Sequence, residues 1–168
     1  FGKATAEMLR AKGHIIYGTS RNMLQNNNIN NLVMDVTKPE TIKQAVAEIM
    51  AKEGRIDVLI NNAQASASGV TLANHTTEQF NLAMYSGLYA TFYYMKACYP
   101  YLAQTKGTVI NFASGAGLFG NFGQCAYAAA KEGIRGLSRV AANEWGRDGI
   151  NVNVICPLAW TAQLEQFK

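Results

Sequence analysis

The chain has 168 residues, of which 49% are hydrophobic and 15% charged, and a net charge of +4. That composition suits one globular domain and excludes a disordered chain. Its scattered Lys and Arg form no basic run, so no nucleic acid is an expected partner, and no apolar stretch approaches the ~20 residues of a membrane span.

In chain order, Gly2 to Lys12 reads as a helix stopped by Gly13. Ile15-Ile16-Tyr17 and Leu32-Val33-Met34 read as strands, with an Asn-rich surface loop from Asn22 to Asn31 between them. Thr37 to Lys52 is helical, with Pro39 near its start and Gly54 beyond its end. Asp57 to Ile60 is a short buried strand, and Thr77 to about Ala103 a long helix interrupted near Gly87. Thr108 to Phe112 is a strand, followed by a loop holding Gly115, Gly117, Gly120 and Gly123. Tyr127 to Trp145 is helical, and Ile150 to Ile155 is the last strand. Short apolar strands alternating with helices predict a doubly wound α/β fold, a parallel sheet covered on both faces in one domain over residues 1–168. Ligands of such sheets bind beyond the carboxyl ends of the strands. Both ends read as cut, because this architecture expects a central strand before the first helix.

Three cysteines, Cys98, Cys125 and Cys156, lack paired spacing. A disulfide framework or zinc site is not expected, no metal is assigned, and small apolar cysteines in a reducing cytoplasm are the preferred reading. No secretory signal opens the chain, which agrees with a cytoplasmic location.

The run from Tyr127 to Lys131 carries the chemistry. Residues four apart on a helix share a face about 6 Å apart along the axis. A phenol titrates near ~10, and a neighbouring ammonium favours its phenolate. Such a pair can exchange a proton with a substrate near neutral pH. Ser114 offers a hydroxyl to a carbonyl or alcohol oxygen. A Tyr-x-x-x-Lys match alone is weak evidence, since a half-buried Tyr and a solvated Lys give the same pattern.

The order of elements, together with Asn61-Asn62-Ala63, Ser114, Tyr127-x-x-x-Lys131 and Ile150-Asn151-Val152-Asn153-Val154-Ile155-Cys156-Pro157, resembles the short-chain dehydrogenase/reductase family over essentially the whole chain. The resemblance implies a single-domain Rossmann fold that transfers hydride between NAD(P)(H) and a carbonyl or alcohol carbon. It implies that Tyr127 is the general acid and base, that Lys131 lowers its pKa and holds the nicotinamide ribose, and that Ser114 orients the substrate oxygen. Gly2 is the tail of the family's phosphate-binding turn, and Asp35 looks like its adenine contact. Asn61 and Ala63 match the strand end that lines the cofactor ribose. Ile155, Pro157 and Thr161 match the stretch that meets the carboxamide. Arg21, where NAD enzymes place an acid, favours NADP(H), with NAD(H) as the alternative. The substrate is a small ketone or alcohol, and the look is closest to bacterial 3-oxoacyl and small-ketone reductases. A homodimer or homotetramer through the two long helices is also implied.

Four departures from the family pattern stand out. Only Phe1-Gly2 remains of the glycine-rich turn, Gln64 replaces a glycine, and Leu158 replaces another, with Thr161 one residue early. Gly87 stands where the family has an Asn that holds a water behind the Lys. A vacated volume at Gly87 predicts that an extra water fills it, and that Gly87→Asn raises turnover. These departures support the alternative of a related protein that binds a nucleotide without turnover.

Overall fold

The structure is a computed structural model that describes residues 1–22 and 29–157. Leu158 and Thr161, the latter assigned to cofactor binding on sequence, lie outside the described residues. Among the described residues five strands form: β1 (Tyr17–Ser20), β2 (Asn30–Val33), β3 (Val58–Asn61), β4 (Thr108–Phe112) and β5 (Asn151–Ile155). Six α-helices accompany them: α1 (Gly2–Ala11), α2 (Pro39–Glu53), α3 (Thr77–Ala83), α4 (Ala90–Thr105), α5 (Gly115–Phe119) and α6 (Cys125–Trp145). Every strand pairing is parallel. Among the described residues the pairs fall into two sets, β1-β2 and β3-β4-β5.

The elements match the expected order, with local differences. The first strand was expected at Ile15 but begins at Tyr17, where pairing with Asn30 starts, and Ile15 is left 66% exposed. Partner strands, more than β-branched composition, decide where a strand lies. The glycine-rich loop after β4 contains α5, because Ser114 caps its start by accepting from the Ala116 N–H at 3.2 Å. The expected interruption near Gly87 is a π-helical turn, Met84–Tyr89, joining α3 to α4. Such turns accommodate one extra residue in a helix and cluster at functional sites.

The core lies on one face of the strands. Val46 of α2, Met95, Cys98 and Leu102 of α4, and Ala141 of α6 pack with Leu59, Val109 and Ile150. A second cluster joins Leu32 and Met34 to Ile42 and Ala45 of α2. Tyr94 and Ala97 of α4 touch both clusters, so this helix ties the two strand sets together. Successive strand residues face opposite ways. Phe112 therefore points away from the face that buries Asn111, and its ring meets Phe1 at the start of α1, 6.0 Å between centroids. Cys98 is buried and its thiol is pushed up to about 12 by that burial, as a small apolar core residue should be. Cys125 is half-buried and Cys156 exposed.

A buried polar chain holds β3, β4 and α6 in register. Asn111 is wholly buried. Its Oδ1 accepts from Asn61 Nδ2 at 2.8 Å, and its Nδ2 donates to Ser138 Oγ at 2.8 Å. Ser138 donates onward to the Ile134 carbonyl at 2.6 Å. Removing a buried partner leaves others unsatisfied. Asn111→Ala is expected to cost about 2–4 kcal/mol and lower the melting temperature by roughly 5–15 °C. An unchanged melting temperature would place the support of β3 elsewhere.

Candidate active site

Parallel pairing brings the carboxyl ends of the strands together within each of the two sets, and the candidate residues follow those ends. Ser114 lies two residues beyond β4. Its oxygen caps α5, so its proton stays available to a ligand oxygen. α5 is pressed on α6: a Cβ on Gly117 would lie 2.7 Å from Glu132 Oε1. The loops after β3 and β4 also cross. Gly69 N–H donates to the Gly123 carbonyl at 2.9 Å, and a Cβ on Gly123, whose φ is +69°, would lie 3.0 Å from Gly69 Cα. Only glycine permits that approach in that conformation.

Tyr127 and Lys131 face the same way from the first two turns of α6, with the Lys131 Nζ 5.6 Å from the Tyr127 ring centroid. Lys131 is 4% exposed, and Nζ donates to the Phe112 carbonyl at 2.6 Å. Burial pushes its ammonium down to about 8, opposed by the nearby Cys156. The alternative of a solvated lysine does not hold: Lys131 is buried against the end of β4, beside the Tyr127 ring.

The candidate cofactor residues spread along those strand ends. A Cβ on Gly2 would meet Asn62 Nδ2 at 2.9 Å, so the amino end of α1 lies against the chain just beyond β3. The first N–H groups of a helix have no intrahelical acceptor, and no acidic residue occupies this first turn. Asn61 points inward to Asn111 and supports the sheet, while Ala63 beyond it is exposed. Asp35, after β2, accepts at Oδ1 from Thr37 N at 3.0 Å and Thr37 Oγ1 at 2.7 Å. Those bonds hold its carboxyl below the usual range, helped by the charges of Lys38 and Arg21. Arg21 is exposed at the end of β1. Ile155 ends β5 beside Phe112 and accepts from Ala113 N at 2.9 Å, and Pro157 follows. An open depression of about 430 Å³ beside α3, lined by Thr37, Glu78, Asn81, Leu82 and Tyr85, is separate from Ser114, Tyr127 and Lys131.

Gln124 escaped the sequence reading, and Gln64 was read only as a departure from the family pattern. Gln124, just before α6, has a buried Oε1 without a hydrogen bond. Gln64 has both carboxamide atoms buried and unpartnered. The expected open volume at Gly87 is filled by that carboxamide: a Cβ there would lie 2.7 Å from Gln64 Cδ and 2.8 Å from Nε2 and Oε1. An Asn at position 87 would therefore displace Gln64, and the expectation that it simply restores a water site fails for that steric reason.

The lowered Lys131 pKa sets a pH-dependent cost. A buried Lys whose folded pKa lies near 8, against 10.5 for the free group, destabilises the fold below 8, and the penalty fades as pH rises toward 10.5. At about 1.36 kcal/mol per unit the penalty is on the order of 3 kcal/mol. Lys131→Met is expected to raise stability at pH 7 by about 1–3 kcal/mol, less than the full penalty because the Phe112 carbonyl loses its donor. The gap should close by pH 10.5 in denaturant melts of the two proteins, and a gap constant across that range would mean that Lys131 is not held down by burial.

Comparison with known proteins accords with this geometry. The family model described as short chain dehydrogenase matches residues 1–167. A 12alpha-hydroxysteroid dehydrogenase of a Clostridium species is 70% identical over 141 residues, covering 82% of this chain and 54% of that protein. A 3-ketodihydrosphingosine reductase of Bacteroides thetaiotaomicron is 38% identical over 159 residues, covering 94% of this chain and 59% of its own length. The chain thus spans a little over half the length of these curated relatives. The solved structure titled "ElxO with NADP Bound" superposes with a TM-score of 0.91 at 28% identity, covering 98% of this chain and 72% of that one. The chain belongs to the short-chain dehydrogenase family.

Proposed function

We propose that the protein carrying this chain is a nicotinamide-dependent oxidoreductase that interconverts a secondary alcohol and a ketone on a bulky apolar substrate of the hydroxysteroid class. The observation that carries the reading is the Tyr127–Lys131 pair, its ammonium buried and fixed 2.6 Å from the carbonyl of Phe112, two residues before the Ser114 that caps α5. In reduction, Tyr127 gives its hydroxyl proton to the substrate oxygen while Ser114 donates a hydrogen bond to the same oxygen, and oxidation reverses both steps. The ammonium of Lys131 stabilises the phenolate left behind. When bound, the nicotinamide supplies or accepts the hydride.

The residues present fit such a cofactor. The free N–H groups of α1 at Gly2 suit a pyrophosphate, Asp35 has Oδ2 left for an adenine, and Arg21 suits a ribose 2′-phosphate. NADP(H) is the proposed cofactor on that ground, supported by the NADP-bound structure that the fold resembles. The rim supports the apolar substrate: Leu72, Leu118, Phe119 and Phe122 are 76%, 48%, 84% and 87% exposed on the loops after β3 and β4. Together with the 12alpha-hydroxysteroid dehydrogenase relative, this moves the reading away from acyl chains and small ketones. We further propose a homodimer or homotetramer: Tyr85, Tyr89 and Phe92 form an exposed aromatic stripe along the π-turn and α4.

Two measurements test the reading. Tyr127→Phe is expected to lower kcat by 10²–10⁴-fold with keto-steroids and NADPH, with cofactor affinity nearly unchanged. A kcat within tenfold of the parent removes Tyr127 from this role. Arg21→Asp is expected to shift the kcat/KM ratio toward NADH. An unchanged ratio means that another residue reads the phosphate.

A further inference from the structure

Gln64 has no task in the hydride transfer described above, yet its carboxamide occupies a confined position at the strand ends. Both amide atoms are buried without a hydrogen bond. They lie where the Cβ of any residue but glycine at position 87 would stand. The seat is built from both sides. Ser86, the preceding residue of the π-turn, accepts from the Ala65 N–H at 3.0 Å and shares its own proton between the Ala65 and Leu82 carbonyls. The backbone immediately after Gln64 is thereby fastened to the turn that carries Gly87. Native proteins leave few buried amides unpaired, and each one calls for a partner.

Lys131 offers the complementary need. An ammonium has three donors, and one of them is used on the Phe112 carbonyl. The placement of the elements brings the two groups together. Asn61, the last paired residue of β3, lies opposite Asn111, next to the Phe112 whose carbonyl Lys131 holds, and Gln64 follows Asn61 by three residues. The π-turn is pressed on α6 at the same level: a Cβ on Gly133, two residues after Lys131, would lie 2.7 Å from Leu88 Cδ2. An amide oxygen without a donor thus sits against the π-turn that packs on α6, the helix carrying an ammonium with donors to spare, and a water is the usual bridge between polar groups too far apart for a direct bond.

We propose that Gln64 is a positioning residue for Lys131: its amide oxygen, seated against Gly87, accepts from the Lys131 ammonium through one water and keeps that ammonium charged beside Tyr127. This rests on reading Tyr127 and Lys131 as the proton-transfer pair. The other groups that bear on the ammonium are Tyr127 on its own helix and Cys156 beyond β5. Glu132 is turned to Arg135 at 3.5 Å. Gly87 serves as the steric half of the device, because a methyl group there displaces the amide. The two sequence departures at positions 64 and 87 are one feature.

The test uses Gln64→Met, which keeps length and removes polarity, and Gly87→Ala, which leaves Gln64 in place but takes its seat. Both are made in the full-length protein and assayed with NADPH and a keto-steroid. Removing the acceptor makes the ammonium easier to deprotonate. The alkaline limb of the kcat profile is then expected to move to lower pH in both variants, with kcat at pH 8 down about tenfold and cofactor KM within twofold. The melting temperature of Gln64→Met should change little, since a thioether chain of the same length fills the seat. A kcat and an alkaline limb that stay with the parent in both variants overturn the proposal and leave Gln64 as packing. If Gln64→Met fails to fold, Gly87→Ala decides alone by the same limb. A parent without turnover on any ketone overturns the hydride-transfer reading and the role of Gln64 with it, an outcome distinct from an active parent with unresponsive variants.

Discussion

The site depends on one buried ammonium tied to the backbone of the sheet. Lys131 crosses from α6 to the Phe112 carbonyl, and that bond fixes both the distance and the rotation of the helix against β4. A helix must lie close for a lysine to reach so directly, and α6 is built for it. Ala126 and Ala130 are buried at 1% and 0% exposure, and Gly133 admits Leu88 of the π-turn. With the helix so placed, Tyr127 is carried one turn earlier on the same face and opens toward the strand ends. Burying a charge opposes folding, and the Phe112 carbonyl offsets only part of that cost.

The remaining parts arrive by topology. Within each set parallel strands deliver the following loops to the same edge, so Arg21 ends beside Asp35 and Asn61 on the side of Ser114, though each pair is separated in the chain. The loops would be free to spread without further ties. The Gly69–Gly123 crossing and the Ser114 cap of α5 hold the two loops that flank Tyr127, and the aromatic side chains Phe119 and Phe122 project from that fixed base. Two aromatic side chains this exposed, three positions apart, make an apolar patch of the kind that marks a contact surface.

Much of this was legible in the sequence, and what was not has a physical reason. Tyr127 and Lys131 are four apart on one helix, so local geometry alone joins them. Alternating apolar strands and helices show the fold class because each period is local as well. The start of β1 was misread because pairing partners, absent from any local window, decide it. α5 was missed because five residues rich in glycine carry no helical signal, and a single serine cap makes the turn. Asn111 could have been noticed as a polar residue inside an apolar strand, but only the tertiary fold supplies its partners Asn61 and Ser138. Gln64 and Gly87 read as two unrelated departures because they are 23 positions apart in the chain, and their contact is purely tertiary.

The distribution of polar satisfaction separates support from work. The Asn61–Asn111–Ser138 chain lies under the strands with each of its links made, as a structural network should be. At the strand ends the accounts stay open: Gln64, His75 and Gln124 hold buried atoms without partners, and Lys131 has donors left over. All of these lie on the two crossing loops or the start of α6. A fold under selection for stability alone would replace such groups with apolar ones of the same shape. Their concentration at the strand ends, and not along the buried network, marks that edge as the part of the fold whose polar groups answer to something other than stability.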